Sequence, residues 1–250
     1  MKAKILCVYD EGAVPRTPLI GAKGFSVLVE AGGKRILFDA GRRGKYLTHN
    51  MGHLGVPPDS IDCLVASHGH RDHVGGLADL LRSRTSPLKI FAPKSAIGTK
   101  TLLGHKGLYV PPDLSDMAEI EHVSDWTDVG GGVHASPPMS YDCGQECFIA
   151  LDAADGPAVV SARSRFGVDA AMDTVRERFG RHPKTYVGGV RAGGGGSEPR
   201  PLSEVFSSYG CDRLYLNGCT GAAGITRLRS SLGLKGVSDF YAGESFELEI

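Results

Sequence analysis

Apolar, β-branched runs broken by glycine recur along the whole chain: KILCVY, FSVLVEAGGKRILFDAG, IDCLVASH and LKIFAP in the first half, then GGVHAS, CFIALDA, Ala158–Ala162, TYVGGV, RLYLNG and SFELEI. Runs of this length and composition predict strands. Residues Phe25 to Asp39 read as a hairpin turning at AGGK, because paired glycines supply the backbone angles a tight turn needs. Helices are predicted over Gly75–Arg84, Val168–Phe179, Pro201–Tyr209 and Gly221–Leu232; in the second, Val168, Ala171, Met172, Val175 and Phe179 form one apolar stripe. In both halves strands come first and then alternate with helices. That order predicts an α/β protein of two mixed sheets packed face to face, with helices on the outsides.

Composition narrows the classes without naming one. A chain of 250 residues suits a single domain, 1–250. Basic and acidic residues balance at 28 each, so no global field draws in nucleic acid or an anionic membrane, and a small molecule is the expected partner. The apolar run in Met1–Asp10 is too short for a secretory signal, and no stretch approaches the ~20 apolar residues of a membrane span. A cytoplasmic protein with reduced cysteines is expected; its oligomeric state is not written in the sequence. Cys143 and Cys147 in CGQEC are spaced to close a small loop or hold a metal, with an inert role the commoner outcome. The glycine tract from Ala192 to Pro201 reads as a mobile loop, and no Lys-Ser or Lys-Thr pair follows to make it a phosphate cradle.

Chemistry concentrates in SHGHRDHVGGL. His68, His70, Asp72 and His73 fall between a strand ending near His68 and a helix beginning near Val74, on a turn that Gly69 allows to bend. Neutral imidazoles and a carboxylate are zinc-type ligands, and an ion with an open position makes hydroxide from water near neutral pH. Three surface histidines on a polar loop would be the plain alternative.

This motif resembles the hallmark of the metallo-β-lactamase superfamily, which implies a four-layer αββα sandwich with metals at one edge of the paired sheets. FSVLVEAGGKRILFDAG is similar to that superfamily's early strand pair, placing Asp39 where an acid steadies a ligand imidazole from behind. LFDAG, LGVPPDSIDCLVASHGHRDHVGGL, YVGGV and GCTG resemble, in order, the branch named for a dihydropterin–ribofuranosylaminobenzene phosphate synthase, linked to methanopterin-type cofactor synthesis.

Three histidine positions of that pattern are changed. Arg165 stands where GCSHAG has its histidine, Arg191 replaces the histidine of GGFH, and Gly218 replaces that of HCTG. Arginine stays protonated and offers no lone pair, so it cannot ligate. Arg165 and Arg191 would instead neutralise Asp72 or bind an anion in the cleft, or else face solvent. His134, Asp142, Cys143, Cys147, Asn217 and Cys219 lie on segments that could supply replacement ligands, His134 foremost. His49 and His53 share a helical face without an acid to complete a site.

Two functions follow. The first is a metal-dependent hydrolase using one or two divalent ions, zinc above all, on a small anionic ester or phosphoester, with Asp72 as ligand or proton acceptor. The second is a metal-poor relative that binds a small anionic or pterin-like ligand through Arg165 and Arg191.

Overall fold

The computed structural model describes residues 1–101, 104–142, 144–190, 200–234 and 236–250. The first half runs β1 (Lys2–Tyr9), β2 (Ser26–Ala31), β3 (Lys34–Phe38), α1 (Gly44–His53), β4 (Cys63–Val65), α2 (Arg71–Val74), α3 (Leu77–Arg82), β5 (Leu88–Pro93), β6 (Thr99–Thr101), β7 (Gly104–Lys106) and β8 (Ala118–Val123). The second runs β9 (Thr127–Gly130), β10 (Val133–Ala135), β11 (Met139–Tyr141), β12 (Gly144–Glu146), β13 (Ile149–Leu151), β14 (Ala158–Ser161), α4 (Val168–Phe179), β15 (Thr185–Gly188), α5 (Leu202–Tyr209), β16 (Arg213–Leu216), α6 (Ala222–Leu232), β17 (Val237–Asp239) and β18 (Ser245–Glu249).

Two seven-stranded sheets result, ordered β18-β1-β2-β3-β4-β5-β8 and β17-β16-β15-β14-β13-β10-β9. Side-chain alternation assembles the layers. Ile5, Cys7, Val27, Val29, Ile36 and Phe38 point into a core that also takes Ile149, Ala158, Val160 and Val187 from the other sheet. Their neighbours Leu6, Val8, Leu28 and Leu37 point the other way, onto Leu47, Met51, Leu77 and Leu80 of α1 and α3. Val159, Tyr186 and Leu214 likewise face Ala171, Met172, Val205 and Ile225 of α4, α5 and α6. Strands buried on both faces read as unbroken apolar runs, and the expected αββα order is present.

The hairpin of β2 and β3 turns at Gly32 and Gly33, whose φ angles of 54° and 75° only glycine adopts without strain. Helix α4 has the predicted bounds and buries Val168, Ala171, Met172 and Val175. Sequence reasoning passed over α1 and the strands β6, β7, β8, β9, β11, β12 and β17. Among the described residues no helix is long and apolar enough to cross a membrane. Most of the glycine tract lies outside the described residues.

Strands β3, β4 and β5 run parallel in one sheet, and β14, β15 and β16 in the other. The segments leaving the carboxyl ends of β3, β4 and β14 carry Asp39, His68 and Arg165. Crevices at the carboxyl ends of parallel strands are where such sheets take ligands.

Candidate functional site at the carboxyl edge of the two sheets

Asp39 follows β3 in the left-handed backbone region (φ 61°) with no exposure. A non-glycine residue holds that conformation only where its surroundings compel it. Its Oδ1 accepts from the Ser67 amide at 2.8 Å, and its Oδ2 accepts from the Ser67 hydroxyl at 2.8 Å and from His73 Nδ1 at 2.7 Å. Asp39 thus sits behind the histidine turn, as the resemblance implies, and ties both ends of that turn together.

The turn itself differs from expectation in one respect. Helical structure begins at Arg71, so Asp72 and His73 sit on the short helix α2 rather than on a loop. The chain bends at Gly69 as expected, and that glycine also serves close packing, since a Cβ there would lie 2.7 Å from the Ala96 carbonyl oxygen.

His68 is buried, His70 half-buried. His68 Nδ1 meets the Ser67 hydroxyl at 2.8 Å, and His68 Nε2 faces His70 Nδ1 at 2.9 Å. Arg165 Nη1 approaches that same His70 Nδ1 at 3.0 Å, with its guanidinium 4.9 Å from the centre of the Tyr141 ring. Burial first, then the neighbouring imidazoles and Arg165, hold the His68 pKa well below its ordinary value; burial and Arg165 lower that of His70. Both rings are therefore neutral near pH 7, which lets His70 Nδ1 accept from the arginine.

Burial alone would lower His73 as well, but the charge and hydrogen bond of Asp39, with Cys219 contributing, raise it to about 10. Its Nε2 is buried and has no hydrogen-bond partner among the described residues, with Asp72 Oδ2 at 3.9 Å. Burial penalises the Asp72 carboxylate, yet His73, His70 and Lys23 lower its pKa on balance.

The structure brings together His68, His70, Asp72, His73, Asp39 and Arg165, and Arg165 faces the cleft rather than solvent. His134 it places elsewhere. That ring lies 6.0 Å from Phe179 and answers to Asp128 and Arg178; Val133 and Ala135 take the inter-sheet core, so the residue between them points at the α4 layer. Trp126 packs on Phe148 and Phe179. Cys147 is buried with its thiol on the Ala66 carbonyl oxygen, while Arg191 and Cys143 lie outside the described residues. At Gly218 an added Cβ would fall 2.6 Å from the Glu11 Cβ; the space a histidine side chain would leave through is filled.

Three contributors carried no sequence signal of their own. Ser67 links Asp39 to His68. Asp10 accepts from the Gly218 amide at 2.9 Å and the Gly12 amide at 3.0 Å. Glu146, unexposed at the end of β12, accepts from the backbone amides of Arg163, Ser164 and Arg165. A lone acid becomes informative only once folding shows which amides it meets.

The profile of the metallo-beta-lactamase superfamily matches residues 20–149, a span containing Asp39 and the whole histidine turn. The chain belongs to the metallo-beta-lactamase superfamily. It is 34% identical over 93 residues to the 7,8-dihydropterin-6-methyl-4-(beta-D-ribofuranosyl)-aminobenzene-5'-phosphate synthase of Methanocaldococcus jannaschii, 36% of this chain and 32% of that protein. It is 39% identical over 72 residues to a ribonuclease Z of Bacillus cereus, 27% of this chain and 22% of that one. The match thus spans a third or less of these relatives' length. Among solved structures, Tm1679, a metal-dependent hydrolase of the beta-lactamase superfamily, aligns with a TM-score of 0.81 at 22% identity over 99% of this chain and 100% of its own. A diphosphatase from the PhnP family aligns at 0.67 and 16% identity over 99% and 98%. Both share the fold.

The superfamily implies divalent ions, and the donors described here do not fit a two-ion centre. Among the described residues no group of three His, Cys, Asp or Glu side chains is placed to hold an ion. His68 Nε2 and His70 Nδ1 converge, but a permanently protonated guanidinium stands 3.0 Å from the latter, where its charge opposes a second cation.

Proposed function

We propose that this member of the metallo-beta-lactamase superfamily binds a small anionic ester or phosphoester at the carboxyl edge of its sheets, with Arg165 as the ligand's cationic partner. The observation that carries this reading is the Arg165 contact: one guanidinium nitrogen rests on neutral His70 at 3.0 Å and the group stacks on Tyr141 at 4.9 Å. Such a group is held in place, and a planar fork of five donors has hydrogens left for a carboxylate or phosphate. The named activities of the relatives support the ligand class. Ribonuclease Z and the exodeoxyribonuclease of Streptococcus pneumoniae are named as nucleases, and the Methanocaldococcus protein is named for a phosphate-bearing compound. Balanced charge argues for a small ligand over a polynucleotide.

Titration calorimetry with inorganic phosphate and with p-nitrophenyl phosphate tests the reading. Wild type is expected to bind both, and Arg165→Ala to weaken binding by about tenfold or more, the worth of a charge-assisted hydrogen bond. Equal affinity in the two proteins, or no binding by either, overturns it.

A second reading, metal-dependent hydrolysis, is favoured by the fully buried Nε2 of His73 beside Asp72, which offers a lone pair to an ion once the proton that Asp39 stabilises on the ring is displaced. Two donors fall short of the three protein ligands a catalytic zinc ordinarily has. Metal analysis of protein purified without chelator decides. One equivalent or so of zinc, iron or manganese, lost on His73→Ala, supports that reading; background metal after incubation with excess ion removes it.

A further inference from the structure

The turn that carries Arg165 is not one the chain would adopt unaided. Ser164, in its middle, has a φ of 42°, positive for a residue with a side chain. Five contacts compel it. Glu146 Oε1 accepts from the Arg163 amide at 3.0 Å and the Ser164 amide at 3.1 Å, Oε2 accepts from the Arg165 amide at 3.1 Å, and the Ser164 hydroxyl meets Ser161 Oγ at 2.9 Å and the Tyr186 hydroxyl at 2.6 Å. Three successive amides closing on one carboxylate form a nest, the backbone's own anion receptor, here occupied from inside.

The next residue reaches the opposite way. The Cys147 amide donates to the Ser67 carbonyl oxygen at 2.9 Å, on the turn that carries the histidines. Adjacent residues therefore tie the two sides of the cleft to one another, and Tyr141, on the partner strand of the β11–β12 hairpin, lies under the guanidinium. Pure core packing has no use for a carboxylate at this place, since an apolar residue would spare the desolvation of a charge.

We infer that Glu146 is a positioning residue for Arg165: its carboxylate imposes the Arg163–Arg165 turn and so aims the guanidinium at His70 and at the ligand. The consequence for affinity rests on the anion reading above, whereas the aim of the guanidinium is measurable without any ligand.

Glu146→Gln keeps the side chain's volume and replaces one acceptor with a donor facing an amide. Its crystal structure is expected to show Arg165 out of hydrogen-bond reach of His70 Nδ1. Phosphate affinity is expected to fall about tenfold, as in Arg165→Ala, and the Glu146→Gln/Arg165→Ala double variant is expected to bind no more weakly than Arg165→Ala alone. An Arg165 still seated on His70 in the Glu146→Gln crystal overturns the inference, as does a double variant whose losses add. If wild type binds no phosphate, the anion reading fails and the crystal alone decides the positioning. Should Glu146→Gln not fold, Glu146→Asp, which keeps the charge but draws the carboxylate back by one methylene from the three amides, is read in the same way, and an unmoved guanidinium there overturns the inference equally.

Discussion

Asp39 shows how much one residue can fix. It stores backbone strain, receives three hydrogen bonds and raises the pKa of His73, all without contact with solvent. Breaking a buried ion pair by neutralising one partner leaves the other charge uncompensated. Asp39→Asn is expected to lower unfolding free energy by about 3 kcal/mol and to bring the His73 titration, followed by NMR, down from about 10. An unchanged His73 titration would show that Asp39 does not hold its charge. At the same scale, Arg165 brings to the cleft a fixed cation with no lone pair, which bears on what the cleft can bind.

Between elements, the turn before α6 is closely packed: Gly218 lies against Glu11, and Asp10 holds the Gly218 amide at 2.9 Å. Gly218→His is therefore expected to destabilise the protein by about 1–3 kcal/mol through overpacking and to leave metal content unchanged. Pairing it with Glu11→Gly is expected to recover most of the stability, as measured by denaturant unfolding. A tolerated Gly218→His with no melting shift would mean that the turn is looser than its contacts imply. Burial on both faces sets how clearly a strand reads in the sequence. Interior strands such as β2, β3 and β14 read clearly because both faces are buried. The missed β8, β9 and β17 are sheet edges, where exposed residues such as Glu119, Glu121 and His122 erase the apolar signal.

For the molecule as a whole, stability should carry a pH signature from the joint between its first strand and the turn before its last helix. Burial raises Asp10 from its ordinary 3.8 to about 6. Between those values the folded state keeps a proton that the unfolded chain has lost, so this group's contribution falls as pH rises through the window and is worth up to about 3 kcal/mol. His68 and His70, with lowered values, act in the opposite sense: below their ordinary value near 6.5 the unfolded chain takes up protons that the folded state refuses, and stability falls with falling pH. Unfolding free energies from pH 4 to 7 should thus be shallow in wild type and rise more steeply with pH in Asp10→Asn. Parallel curves for the two proteins would place the Asp10 pKa near normal.

What the sequence by itself determined is the layered architecture and the histidine turn, because these rest on local signals: two-sided burial, helical spacing and a dense motif within a few residues; the acid behind the turn came from the resemblance to the superfamily. Only the tertiary structure decided that Arg165 enters the cleft while His134 turns away to the α4 layer, that Gly218 is walled in by Glu11, and that Glu146 gathers the Arg165 turn. Each of these depends on where a parallel strand ends relative to a residue far along the chain. That register is set by packing of the whole core, and no short window of residues contains it.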